Sequence, residues 1–364
     1  MALKDMIGQQ TAVAGLLTAI GRDAVPQTYL FVGPDGVGKT TAALGFAKAL
    51  ACLHRQADGD ACDNCVNCTR ITAGEHPDVT RIAPDGEFTR IWQIWTRPGH
   101  GPGALETLPF APVAGRVRFY LIEKAETLND ESANSLLKAL EEPPPYVQFV
   151  LCVPSPNAVL PTILSRSQML RFGQVPTERI TAALQELRGL SAAEARILAA
   201  YSEGAPGRAL RLADAPELRA HRDTLLDLAA RIAVGPRIAA FRLAEDLRGA
   251  AKPLKAKKSG DDPADAESAD RTVRGDLGRA IGVLAAWHSD LLSVALRGPA
   301  APVIHEDRRA ALVQSAARYR PEQLAENIGH LMLFRRYIAR NANAQLATEV
   351  LLLKLIPRRE AGKP

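Results

Sequence analysis

The stretch from Thr28 to Cys52, "TYLFVGPDGVGKTTAALGFAKALAC", decides the fold. "TYLFVG" reads as a short buried strand, and "TTAALGFAKALAC" has the apolar spacing of a helix. Between them Gly33, Gly38, Lys39 and Thr40 satisfy the phosphate-loop pattern G-x-x-x-x-G-K-[ST], with a strand before and a helix after as that pattern requires. Glycines let backbone N–H groups curl around phosphate oxygens. Lys39 can reach the terminal phosphates, and the Thr40 hydroxyl can ligate Mg²⁺ at a helix N-terminus already favourable for anions. The pattern nominates Gly33, Pro34, Gly36, Val37, Gly38, Lys39, Thr40 and Thr41 as a site for ATP or ADP with Mg²⁺. The plainer alternative is a loop kept for its fold alone.

Working outward, "IGQQTAVAGLLTAI" places Ile7, Val13, Leu16, Leu17 and Ile20 at amphipathic helix spacing. Further buried strands are predicted at "VRFYLIE" (117–123) and "VQFVLCV" (147–153). A helix is predicted at "NDESANSLLKALEE", capped by Asn129 or Asp130 and stopped by Pro143, Pro144 and Pro145. These elements predict a three-layer α/β domain with a mostly parallel sheet. From about residue 174 the patterning is helical. Residues 252–274, poor in large apolar groups and basic then acidic, read as a flexible insertion, with Lys252, Lys255, Lys257 and Lys258 in a solvated linker.

The 364 residues suffice for two to three domains with sizeable cores. Aromatics make up only 5% and apolar residues 47%, with much Ala and Leu, which favours helix over strand. The balance of 45 basic to 40 acidic residues permits contact with nucleic acid without demanding it. "MALKDMIGQQ" lacks the pattern of a secretion signal, and no long apolar run occurs, so a cytoplasmic location away from membrane is expected.

Four of the five cysteines, Cys52, Cys62, Cys65 and Cys68, follow the spacing C-x9-C-x2-C-x2-C. Tight C-x2-C turns bearing four soft ligands suit a tetrahedral structural Zn²⁺ with no open position for water. His54 is a possible competing ligand, and redox chemistry or plain reduced thiols are the other readings. Cys152, inside an apolar strand pattern, reads as a core residue. A zinc-containing nucleic-acid binder would need a basic, aromatic surround, yet residues 52–70 carry only Arg55 and Arg70 and no aromatic.

Hydrolysis needs an acid after the second strand to help hold Mg²⁺ and often a neighbour to orient water. "FYLIEKAETL" offers Glu123 and then Lys124, and a lysine cannot act as that carboxylate. Glu126 is a possible substitute, but on an extended chain end it need not point toward the loop.

Several segments together resemble the AAA+ clamp-loader family of bacterial DNA polymerase III, in its delta-prime type. They are "IGQQ", "GPDGVGKT", the four-cysteine insertion, "EHPDV", "NSLLKALEEPPP", "LPTILSRSQ", "EGAPGRAL" and "NANAQLATEVLLLKL", in order along nearly the whole chain. The resemblance implies an AAA+ α/β module (1–173) carrying the zinc module, a helical lid (174–213), and an all-α collar (214–364). It implies assembly with gamma/tau and delta subunits into a hetero-pentameric ring that opens the sliding clamp and places it on primed DNA. Arg166 occupies the arginine of the family's Ser-Arg-Cys motif, here followed by Ser167, and the resemblance implies a finger reaching a neighbour's nucleotide. A guanidinium suits that task because it is permanently charged and bonds two phosphate oxygens at once. The acidic pair is Glu123-Lys124, the polar sensor position holds Val153 and Pro154 with Ser155 nearest, and the lid arginine, Arg208, falls about one residue off. These departures favour delta-prime, with weak ATPase of its own at most, over an active gamma/tau-like ATPase, the alternative. Asn341, Asn343 and Glu349 read as helix capping and collar packing.

Overall fold

The computed structural model describes residues 1–85, 88–251, 265–339 and 342–357. Contacts divide the chain into two compact units, Met1–Leu210 and Arg211–Pro364.

The first unit is built on a five-stranded parallel sheet: β1 (Thr28–Val32), β2 (Val79–Ile82), β3 (Arg118–Ile122), β4 (Val147–Val153) and β5 (Gln168–Arg171), in spatial order β2-β3-β4-β1-β5. The three inner strands are buried along their whole length, which is why their sequences are continuous apolar runs. Alternate residues feed two separate cores. Tyr29, Phe31, Phe119, Leu121, Val150 and Cys152 face the helices Gln10–Gly21 and Lys39–Ala51. Leu30, Val32, Tyr120, Ile122, Phe149 and Leu151 face the helix Asp130–Glu141 on the other side. The edge strands "VTRI" and "QMLR" were not expected from the sequence: each is half-exposed and mixes polar with apolar residues, leaving no apolar run to read.

The helix Lys39–Ala51 packs on the sheet through Phe46, whose ring meets Tyr29 and Phe119 edge-on, while Ala42, Ala43, Ala47 and Ala49 are buried around it. Asn129 caps the helix Asp130–Glu141 by accepting a hydrogen bond from Ser132 N–H at 2.9 Å, and the helix ends before the prolines. Of the segment 86–110, the described residues from 88 onward pack on the sheet: the fully buried Ile94 and Leu105 join the core that contains Tyr120 and Phe149. The helices Thr177–Arg188 and Ala192–Tyr201 belong to this unit, and the helix Pro206–Asp214 runs across the division between units.

The described residues of the second unit are helical, without a strand, in six helices from Pro216–Val234 to Ala344–Leu355, with 3₁₀ turns at Arg237–Ala239 and Glu306–Arg308. Asp290 accepts from Ile304 N–H and His305 N–H at 2.8 Å each, and buried Arg222 forms a two-pronged ion pair with Asp307 at 2.9 Å. Asn343 caps the last helix through Leu346 N–H, and Glu349 accepts from Gln345, in keeping with the capping and packing roles expected of them. Asn341 and residues 252–264, with Lys252, Lys255, Lys257 and Lys258, lie outside the described residues. The chain is helical again from Asp265, inside the stretch read as an insertion. Among the described residues no helix is long and apolar enough to cross a membrane.

Candidate nucleotide site and cysteine module

Because every strand is parallel, the loops after β1, β3 and β4 emerge at the same sheet edge, where ligands bind in open α/β folds. The phosphate loop leaves β1 there. Gly33 N–H is held by Val153 O at 3.1 Å, and a Cβ on Gly33 would stand 2.2 Å from Phe172 O, so the strand exit admits only glycine. Gly36 and Gly38 take φ of +80° and +107°, conformations that cost a side chain dearly. Lys39 is buried, and its ammonium donates to Gly33 O at 2.5 Å and Pro34 O at 2.9 Å, with Asp35 at 3.5 Å. The lysine thus folds back over its own loop.

Two further segments brace the loop. Buried Gln9, from "IGQQ", donates to Val37 O and Gly173 O at 3.2 and 2.8 Å and accepts from Gly173 N–H, joining the loop to the chain after β5. Gly207 N–H donates to Gly36 O at 2.9 Å, bringing the start of the helix Pro206–Asp214 onto the loop. A cleft of about 430 Å³, lined by Gln174, Val175, Pro176, Thr177, Glu203 and Gly204, lies at the same joint. Sequence reading had these segments as motif matches; their bonding roles depend on chain crossings that spacing does not encode.

At the end of β3, Glu123 is taken by Arg81 of β2, which donates through Nε at 2.9 Å and Nη2 at 2.6 Å. Lys124 adopts the left-handed conformation, φ 50° and ψ 57°, and its side chain is exposed. That reversal starts the short turn Ala125–Thr127, anchored by Thr127 N–H and hydroxyl donating to Lys124 O at 2.8 and 2.7 Å. Glu126 is therefore not on an extended chain end. Its Oε2 is buried without a hydrogen-bond partner. Burial raises its carboxyl above the ordinary range and Asp35 adds to the rise, while its own backbone N–H, Lys39 and Lys124 oppose it. Cys152 lies in the core beside Thr40, and burial pushes its thiol up to about 12, as befits an inert packing residue.

Val153 at the sensor position is fully buried, Pro154 and Ser155 are exposed, and neither offers a polar group from inside the sheet edge. Arg166 closes the short helix Pro161–Ser165 at the surface, with Nη2 bonded to Glu141 at 2.9 Å and Nη1 to Thr162 O at 3.1 Å. Arg208 pairs with Glu203 at 3.0 Å on the surface.

The four cysteines converge: their sulfurs all lie within 4.8 Å of one another, with Cys52 and Cys62 at 3.5 Å, and His54 is not among them. A tetrahedron of thiolates around zinc has sulfurs about 3.8 Å apart, so the cluster fits a four-thiolate metal ion. Cys62 N–H and Cys65 N–H donate to the sulfurs of Cys52 and Cys62. Burial opposes ionisation throughout the cluster and raises the Cys52 and Cys68 thiols, whereas at Cys65 the backbone N–H groups of Cys68 and Leu53 and the neighbouring thiols outweigh it and lower the thiol, so the four share their protons unequally.

The module is tied to the phosphate-loop helix. Asn67 donates to Ala51 O at 2.8 Å and to Ala114 O at 3.1 Å, Lys48 pairs with Asp63 at 2.7 Å, and buried Asp60 accepts from the backbone of Leu3, Lys4 and Ala61. "EHPDV" acquires a reason here: Asp78 is completely buried and accepts from Val113, Ala114 and Gly115 N–H at 2.8, 2.7 and 2.9 Å, with Arg118 at 3.5 Å.

A parallel sheet in the order β2-β3-β4-β1-β5 with a phosphate loop after β1 and helices following it defines a P-loop α/β module of the AAA+ class. Residues 8–176 match the family profile described as DNA polymerase III, delta subunit. Over 197 residues the chain is 36% identical to DNA polymerase III subunit delta' of Bacillus subtilis, covering 54% of this chain and 57% of that protein. Over 186 residues it is 33% identical to subunit tau of the same organism, covering 50% of this chain and 31% of that protein. Among solved structures, a DNA polymerase III gamma subunit-related protein from Thermotoga maritima aligns over 94% of this chain and 99% of that one, at 17% identity and a TM-score of 0.45. The part of the chain that contains the sheet is thus similar to the delta', tau and gamma subunits of DNA polymerase III. The chain spans less than two thirds of the length of these curated relatives.

Proposed function

We propose that this chain is the delta-prime subunit of a clamp loader, holding nucleotide at most passively and lending Arg166 to a neighbouring ATPase subunit. The observation that carries this reading is the state of the β3 exit: Glu123 is engaged by Arg81, and the adjacent position is a lysine turned outward. An ATPase subunit would need a carboxylate pair there to hold Mg²⁺ and orient water. Residues 33–41 would bind the phosphates of ATP or ADP with Mg²⁺, and Thr40 would provide the hydroxyl ligand. Residues 174–213 are read as the lid, which touches the loop through Gly207 at the start of its last helix, and 214–364 as the collar that joins gamma/tau and delta subunits in a pentamer. Support for the collar comes from the large apolar side chains that the second unit leaves exposed at helical spacing, Leu333 with Tyr337 and Leu346 with Val350. In the ring the chain would help open the sliding clamp and load it on primed DNA.

ATP turnover tests this directly. The isolated chain is expected to be silent, and a mixture with gamma/tau and delta subunits to turn over ATP while assembling into one complex. Substantial turnover by the isolated chain, abolished by Lys39→Ala, would overturn the reading in favour of a gamma/tau-like ATPase.

The cysteine module is proposed to hold one structural Zn²⁺ through Cys52, Cys62, Cys65 and Cys68. Elemental analysis should find one zinc per chain, and Cys68→Ser should release it and expose residues 52–68 to hydrogen exchange. A metal-free wild-type chain with the same protection would refute the site.

A further inference from the structure

Arg81 shares Oε1 of Glu123 and Lys124 supplies no carboxylate, so the usual positions offer no acidic pair, yet a second carboxylate is present nearby. The left-handed residue at 124 reverses the chain at the exit of β3, the same end of the parallel sheet from which the phosphate loop leaves β1, and the 3₁₀ turn that follows is pinned on both sides. Thr127 bonds Lys124 O, and Thr89 N–H donates to Thr127 O at 2.9 Å while the two threonine hydroxyls meet at 2.9 Å. Ala125 is buried beneath the turn, so its orientation is fixed by packing. The Glu126 carboxyl feels the charges of the loop residues Asp35 and Lys39 as well as that of Lys124, and although its own backbone N–H bonds the carboxyl, Oε2 is shielded from water with nothing to accept from. A buried acceptor without a donor is costly and calls for an explanation, and an unseen cation partner is one.

We propose that Glu126 is the carboxylate of this nucleotide site, taking over from the Glu123 position the task of holding a divalent cation opposite Thr40. The inference rests on the reading of residues 33–41 as a nucleotide site and deepens it: the ligand is a nucleoside di- or triphosphate bound with its metal ion. A carboxylate and a hydroxyl oxygen are suitable hard ligands for Mg²⁺, which keeps several waters and takes few protein groups. Glu126 would therefore make nucleotide affinity metal-dependent in a chain whose hydrolytic machinery is otherwise dismantled.

The test measures affinity for a fluorescent ADP with Mg²⁺ and with EDTA, together with Mn²⁺ binding in the presence of ADP by electron paramagnetic resonance. Wild type is expected to bind more tightly with Mg²⁺. Glu126→Gln is expected to lose that gain and about tenfold in Mn²⁺ affinity, with affinity in EDTA unchanged. Glu123→Gln should retain the gain. Glu126→Gln should melt no lower than wild type, because the carboxylate it replaces has no partner at Oε2, and a fall of several degrees would mark a structural role and overturn the proposal. Retention of the Mg²⁺ gain by Glu126→Gln would overturn it while leaving the nucleotide site standing. Failure of wild type to bind ADP under either condition would remove the site itself, and the proposal with it.

Discussion

Asp78→Ala is expected to destabilise the first unit by about 3–5 kcal/mol, the range for removing one partner from a buried charged network. The side chain is fully enclosed and accepts from three successive N–H groups, Val113, Ala114 and Gly115, with the buried Arg118 guanidinium at 3.5 Å. Truncation leaves those donors unsatisfied and removes the counter-charge of Arg118, which would keep only the carbonyls of Phe110 and Ala111. Asp78→Asn, which preserves shape but presents one acceptor oxygen, should lose less. Burial tends to raise this carboxyl, but the three N–H donors and Arg118 outweigh it and hold it below the usual carboxylate range. A depressed folded-state value means the contribution is complete above the unfolded-state pKa of about 3.9 and is lost as pH falls below it. Urea titrations followed by far-UV circular dichroism at neutral and acidic pH should therefore show the gap between wild type and Asp78→Ala narrowing on the acid side. Equal stability of the two at neutral pH would show that the loop 113–115 holds without its acceptor.

Asp78 also shows where sequence reading stops. "EHPDV" was visible as a family motif, but nothing in its spacing says that Asp78 will meet N–H groups from residues 113–115, because that meeting is made by the sheet. The inner strands, the phosphate loop and the Asn129 cap were legible, since each is written in contiguous residues as apolar runs, glycine placement or a capping side chain. The edge strands β2 and β5 were not, because half-exposed strands carry no apolar run. The cysteine cluster was legible from spacing alone, as two C-x2-C turns bring thiols together whatever surrounds them. Its anchoring through Asn67 and Asp60 was not. Glu126 lies between these cases: its identity could be read, but its direction depends on one left-handed residue, Lys124, that no side-chain pattern announces.

Arg166→Ala should leave this chain's own nucleotide affinity unchanged and lower turnover at the neighbouring ATPase site by about 10³-fold, the lower end of what an arginine finger contributes. The geometry around Arg166 suits a group that must leave its resting place. It stands at the end of the short helix Pro161–Ser165, about one third exposed with a side-chain accessibility of 36%, and its ion pair with Glu141 is itself exposed. Such pairs contribute about 0–1 kcal/mol, so transfer of the guanidinium from one carboxylate oxygen to two phosphate oxygens meets little resistance. The bond from Nη1 to Thr162 O meanwhile keeps the side chain directed along the helix end. Arg166→Lys keeps the charge but loses the planar fork, and should recover only a small part of the activity. Glu141→Gln removes the resting partner while sparing the finger, and should alter turnover far less than Arg166→Ala. Measured as ATP turnover and clamp loading in the reconstituted assembly, that order is specific to a finger acting in trans. Loading at the normal rate with Arg166→Ala would reduce Arg166 to a surface arginine paired with Glu141, and the neighbour's nucleotide would have to find its positive charge elsewhere.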